Sequence, residues 1–130
     1  MQIDEHIKHW IESAENDLKA AENLFVSANY DWCLFLGHLV LEKTLKAAFI
    51  KNTGNLIPPK IHNLSKLSEI SSLSPDLEVE KFLVIANKFH LEGRYPEYKV
   101  AFYKTCTKEF AEMNFNKIKE IFKWLKSQIY

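Results

Sequence analysis

Residues 31–52 read DWCLFLGHLVLEKTLKAAFIKN, and this stretch decides the fold. Trp32, Leu34, Phe35, Leu36, Leu39, Val40, Leu41, Leu45, Ala47, Ala48 and Phe49 cover most of the circumference of a helix. A helix apolar nearly all round is central to a bundle or lies at an oligomer interface. Gly54 just beyond it is a C-terminal stop.

Upstream, Ile3, Ile7, Trp10, Ile11, Ala14, Leu18, Ala21, Phe25 and Ala28 recur at three- and four-residue steps. They predict an amphipathic helix from about Asp4, its N-cap, to Ala28. Asn29-Tyr30 is a tight corner between these two long helices. Downstream, Pro58-Pro59 marks residues 55–61 as a loop. A short third helix is expected over Leu64–Ser72, capped by Asn63. A fourth is expected to open at Ser74, with Pro75 at its first position, and to end near His90. Residues 91–104 read as a loop. A fifth helix is expected to start near Thr105 or Thr107 and to run to Gln128, with Phe110, Met113, Ile118, Ile121, Phe122, Trp124, Leu125 and Ile129 on its apolar face. The expected fold is all-α: one domain over residues 1–130, an up-and-down four-helix bundle with a short additional helix, five helices in all.

Composition fits. Apolar residues make up 47% and charged residues 26% of 130, so the chain is globular rather than disordered. Seventeen basic residues balance seventeen acidic ones, which argues against a broadly basic nucleic-acid-binding face. Sixteen of the basic residues are Lys and one is Arg94. Where Lys is the default, a lone Arg suits planar, bidentate contact with phosphate or carboxylate. Cys33 and Cys106 form no CxxC pair, so they read as buried thiols. The charged start, MQIDEHIKHW, lacks the apolar core of a signal peptide, and no run reaches transmembrane length. Cytoplasmic localisation without membrane contact is expected.

Three groups of polar residues draw attention. His38, Glu42 and Lys46 are spaced by four and share one stripe of the apolar helix, with Glu42 ahead of Lys46 in the favourable ion-pair order. The stripe is either a solvated edge or a polar seam lining a cleft or a dimer axis. His62 stands just before the Asn63 cap, as a packing residue or a site residue. The segment from His90 to Tyr98 combines Arg94, Tyr95 and Pro96, and Tyr offers a stacking surface. His6 and His9, three apart near the N-terminus, read as surface. There is no HExxH, P-loop or GxSxG motif.

In order, the chain carries Ala14-x-x-Asp17-Leu18-x-x-Ala21, Tyr30, His38-Leu-Val-Leu-Glu42-Lys43-Thr-Leu-Lys46-Ala47, a proline-containing loop, His62-Asn63-Leu64, Asn87 and Arg94-Tyr95-Pro96. This pattern resembles a HEPN domain (higher eukaryotes and prokaryotes nucleotide-binding) over nearly the whole chain. The resemblance implies a helical bundle that forms a homodimer. It also implies a stand-alone prokaryotic protein encoded beside a small nucleotidyltransferase, in a toxin–antitoxin or defence module. Many HEPN proteins are metal-independent endoribonucleases whose signature is an Arg followed four to six residues later by His. Here no His follows Arg94. The resemblance therefore implies a non-catalytic protein that binds a nucleotide, RNA or the nucleotidyltransferase, with no metal or cofactor. Arg94 would hold phosphate, Tyr95 would stack or shape the pocket, and Lys43 and Lys46 would add charge. His38, Glu42, His62 and Asn87 would line the pocket or polar seam. Two alternatives stay open: an endoribonuclease in which Arg94 stabilises the phosphate while His62 or His38 acts as acid or base, and a structural partner subunit in which Arg94 pairs with a carboxylate such as Glu42.

Overall fold

The computed structural model describes residues 2–90 and 95–130. Within them lie six α-helices and no strand: α1 (Gln2–Val26), α2 (Tyr30–Thr53), α3 (Leu64–Ile70), α4 (Leu77–Ala86), α5 (Pro96–Thr105) and α6 (Lys108–Ile129), with a 3-10 turn at Asn87–Phe89. The all-helical expectation holds, with six helices in place of five.

Helix α2 is the spine. Leu34, Val40, Leu41, Leu45 and Ile50 are fully buried, and α1, α6 and α3 pack around it. Fully burying such a side chain contributes about 1.5–3 kcal/mol. The apolar circumference is thus accounted for by the bundle itself. Gly37 lets α6 approach closely, because a Cβ there would stand 2.5 Å from Ile118 Cδ1.

Near the corner Phe25 packs on Tyr30, and at the far end Ile7 and Ile11 join Ala47, Ala48, Phe49, Ile50 and Ile129 in one apolar cluster. Helices α1 and α2 are therefore antiparallel. Phe25 also stacks on Phe115, and Lys126 pairs with Glu15, so α6 runs opposite to α1 and along α2. Residues 54–63 run back along α2. They bring His62 level with Glu42, from where α3 runs forward beside it to Ser71, whose hydroxyl donates to the Leu45 carbonyl.

Helix ends follow local chemistry, and they correct several expectations. Helix α1 starts at Gln2, so Asp4 is not its cap; it lies in the first turn, where a carboxylate favours the helix dipole. That helix ends in a Schellman motif: Asn29 N–H donates to Leu24 C=O and Ala28 N–H to Phe25 C=O. Ala28 takes the left-handed conformation at φ 65, which costs about 1–2 kcal/mol for a residue with a Cβ. Gly54 ends α2 at φ 76, and Asn63 and Thr107 cap α3 and α6. Helix α3 ends at Ile70, two residues early. Helix α4 is capped by Asp76, not Ser74. The Asp76 carboxylate accepts from Val79 N–H at 2.9 Å and adds a favourable charge at the helix start, leaving Pro75 outside. Residues expected to form a loop instead hold α5, with Pro96 in its first turn. Proline there needs no amide donor and presets the helical φ. The helix is anchored by buried Phe102 and has Glu97 and Lys104 at the ends that suit the dipole.

Among the described residues no helix is long and apolar enough to cross a membrane. Cys33 and Cys106 are buried, as expected, and burial pushes the Cys33 thiol up to about 12. His6 and His9 are exposed.

Candidate functional site

Helix α2 carries His38, Glu42 and Lys46 on one stripe, and all three are buried rather than solvated. The stripe is a polar seam. Glu42 is its centre. Oε2 accepts from Lys46 Nζ at 3.0 Å, and Oε1 is 2.9 Å from His62 Nδ1. Burial alone raises the Glu42 carboxyl, but hydrogen bonds from His62 and Lys46 outweigh it and hold the group below the usual carboxylate range. An ionised carboxylate only accepts, so Nδ1 of His62 carries a proton and donates it. The Lys46 ammonium lies 5.5 Å from the Trp10 ring centroid, a cation–π contact that anchors the seam on α1.

His38 sits beneath. Its Nε2 lies 3.0 Å from the His62 carbonyl oxygen, which can only accept, so His38 carries its proton on Nε2. Its Nδ1 has no hydrogen-bond partner and stands 3.9 Å from Glu42. Burial pushes this imidazole down to about 4, and Glu42 only partly offsets that, so His38 is neutral at physiological pH.

Segment 62–64 is pinned from both sides. Asn63 Oδ1 accepts from Lys66 N–H at 3.0 Å, and Asn87 Oδ1 accepts from Leu64 N–H at 2.8 Å. Asn87 also opens the 3-10 turn that ends at Phe89, a buried core residue. The next residue, His90, lies flat on His62, with centroids 4.7 Å apart and an interplanar angle of 20°, and 4.9 Å from His38. His38 and His62 thus meet at one carboxylate, and His90, from a third segment, packs on both imidazoles. The His62 side chain is 54% exposed. With Nδ1 committed to Glu42, its Nε2 remains for a ligand: an oriented imidazole at the surface, able to contact an anion or move a proton. Among the described residues no group of three or more His, Cys, Asp or Glu is arranged to hold a metal ion.

The other site residues fall elsewhere. Lys43 faces α1, bonded to Asp17 and to Ser13 at 2.7 Å each. Tyr95 is exposed at the start of α5 and packs on Tyr98. Arg94 lies outside the described residues. In the sequence His90 stands at the end of the fourth helix and opens the segment that holds Arg94, with no site role of its own. No periodicity links positions 38, 62 and 90, and the one signal in the sequence is a titratable residue at the start of the segment with the only Arg. A cavity of about 740 Å³ between α1 and the end of α6, lined by Ile7, Ile11, Lys51 and Ile129 among others, contains none of these histidines.

The HEPN domain model matches residues 7–128. The chain is similar to the crystal structure of ST0689, an archaeal HEPN homologue: 27% identity, TM-score 0.75, covering 95% of this chain and 98% of that one. TT1696 from Thermus thermophilus shares the fold, with TM-score 0.77 at 17% identity over 94% of this chain and 97% of that one. None of the curated proteins compared matches it. With a family model spanning nearly its whole length, the chain belongs to the HEPN domain family.

Proposed function

We propose that this HEPN protein binds a phosphate-bearing ligand, a nucleotide or an RNA, on the surface marked by His62. We further propose that it acts in the cytoplasm as a homodimer, with a small nucleotidyltransferase as partner, in a toxin–antitoxin or defence module. The observation that carries the binding reading is the Glu42–His62 hydrogen bond, which holds a half-exposed imidazole in one orientation. Arg94, four residues beyond His90, supplies the bidentate fork for phosphate, and exposed Tyr95 supplies a stacking face. Lys46 acts through Glu42, and Lys43 through the α1–α2 pairing, since both ammonium groups are already bonded to carboxylates. His38 and Asn87 support His62 from below and from the side. Because α2 is filled on its own chain, the dimer face is assigned to the exposed apolar residues of α4 and α5: Val84, Ile85, Tyr98, Val100 and Tyr103.

Calorimetry with ATP and with a short single-stranded oligoribonucleotide tests the binding. The wild type is expected to bind at least one of them, and Arg94→Ala and His62→Ala are each expected to lose about tenfold or more in affinity, the loss of one good charge-assisted contact. Equal binding by all three proteins, or none by the wild type, overturns the reading. Sedimentation should return twice the 15.2 kDa chain mass, and a monomer would remove the dimer.

One observation favours a second reading. A carboxylate-oriented imidazole is also a general-base arrangement, which suits a metal-independent endoribonuclease with His62 in the role of the absent motif histidine. RNA cleavage in the presence of a chelator, lost in His62→Gln, would establish it. Intact RNA at high protein concentration excludes it.

A further inference from the structure

Helix α3 carries Ser65, Ser68 and Glu69 at three- and four-residue steps, so the three share one face. That face looks towards α4, which contributes Glu80 and Leu83, and Leu73 of the connecting segment adds to the apolar wall. Together they line a cleft of about 420 Å³ that shares no residue with the polar seam.

The hydroxyls of this cleft differ from others in the molecule. Thr44, Thr53 and Ser71 each donate to the carbonyl four residues back, at 2.6, 2.7 and 2.6 Å. Ser65 Oγ is buried and has no hydrogen-bond partner. Ser68 is 5% exposed, and among the described residues its hydroxyl makes no bond either. A buried hydroxyl left unpaired costs free energy, and a group that pairs with it recovers that cost.

The carboxylates fix the sign of such a group. Glu69 and Glu80 are both exposed, one from each helix. Lys66 stands 4.0 Å from Glu69 with both side chains more than half exposed, a weak pair. Among the described residues Glu80 has no ion pair, and no basic residue lines the cleft. An anion is therefore opposed. A hard divalent cation takes six or more oxygen ligands and gains nothing from an apolar wall. A cation that carries both N–H donors and methylene groups matches every part of the lining.

We infer that the α3–α4 cleft is a binding site for a linear alkyl diamine or polyamine. Ammonium N–H groups donate to the Ser65 and Ser68 hydroxyls, which have acceptor lone pairs free. Glu69 and Glu80 balance two positive charges, and the methylene chain lies on Leu73 and Leu83. The inference goes beyond the proposed phosphate-binding surface and does not depend on it.

The probe is 1,4-diaminobutane, titrated into the full chain by calorimetry at constant ionic strength, with 1-butylamine as the single-charge control. The diamine is expected to bind saturably, and butylamine about threefold or more weakly, the loss of one exposed charge pair. Glu80→Gln should weaken the diamine by a similar factor. Ser65→Ala separates a binding role from a structural one. It removes an unpaired hydroxyl, so the melting temperature of the free protein should stay the same or rise, while diamine affinity falls about tenfold. No saturable binding, or unchanged diamine affinity in Ser65→Ala or Glu80→Gln, overturns the inference. A lower melting temperature of free Ser65→Ala shows that the hydroxyl is paired within the protein, and overturns it too. Equal affinity for the diamine and butylamine assigns the cleft to a single ammonium, such as a lysine side chain, in place of a polyamine, and overturns it likewise.

Discussion

Glu42 and Lys43 are neighbours in sequence, yet they serve two regions of opposite character. Lys43 turns to α1, where Asp17 and Ser13 receive it between two helices. Glu42 turns to the returning chain, where Lys46 closes one oxygen and a half-exposed imidazole occupies the other. The first region is a closed bond between elements that are packed anyway. The second is a chain of bonds that starts at Trp10 and ends at solvent. The difference teaches where to look for function: a buried charge whose last partner faces water does something that packing alone does not require.

The largest expected effect comes from breaking the open chain at its centre. Glu42→Ala leaves Lys46 buried with no carboxylate, and it should lower stability by about 3–5 kcal/mol, read by urea denaturation. A loss below about 1 kcal/mol would show that water reaches the seam freely and would erase the contrast.

Next comes acid. His38 titrates near 4 in the fold against 6.5 for the ordinary side chain. Between these values the unfolded chain binds the extra proton and the native chain does not, so stability falls as pH drops. The total is about 3 kcal/mol over the window. His38→Gln keeps a donor for the His62 carbonyl and removes the titration, so its stability curve should flatten there. An unchanged slope would place the acid sensitivity in other groups.

At the closed region, Lys43→Met keeps the apolar stem and leaves Asp17 and Ser13 without their cation. A loss of about 1–3 kcal/mol is expected, with ligand affinity unchanged in the folded protein. An affinity loss matching that of His62→Ala would merge the two regions into one site.

The smallest stability effect belongs to the exposed end. His62→Ala should cost about 1 kcal/mol or less, because the side chain is half in water, while ligand affinity falls about tenfold or more. If stability collapses instead, His62 is a structural post.

Much of the architecture was legible from local chemistry. The all-round apolar pattern of residues 31–52 marked the spine, Gly54, Asn63 and Thr107 marked helix ends, and Glu42 and Lys46 at four residues apart marked an ion pair. Where local signals competed, reading them one at a time failed. At Pro75 the proline signal points to a helix start, but Asp76 offers a charged cap one residue later. At Pro96 the same signal does mark a helix start, although the aromatic surroundings read as a loop, because Phe102 has a core to enter.

By itself, then, the sequence determined which segments are helical and which faces are apolar, because backbone hydrogen bonding and periodicity act within a few residues. It also determined that Glu42 and Lys46 meet. The tertiary structure alone decided that the seam is buried rather than solvated, and that His38, His62 and His90 share one place. Their meeting depends on residues 54–63 returning along α2 and on Asn87 tying the turn before His90 to the start of α3. Contacts between positions 24 and 28 residues apart are set by the packing of whole elements, which no local pattern encodes.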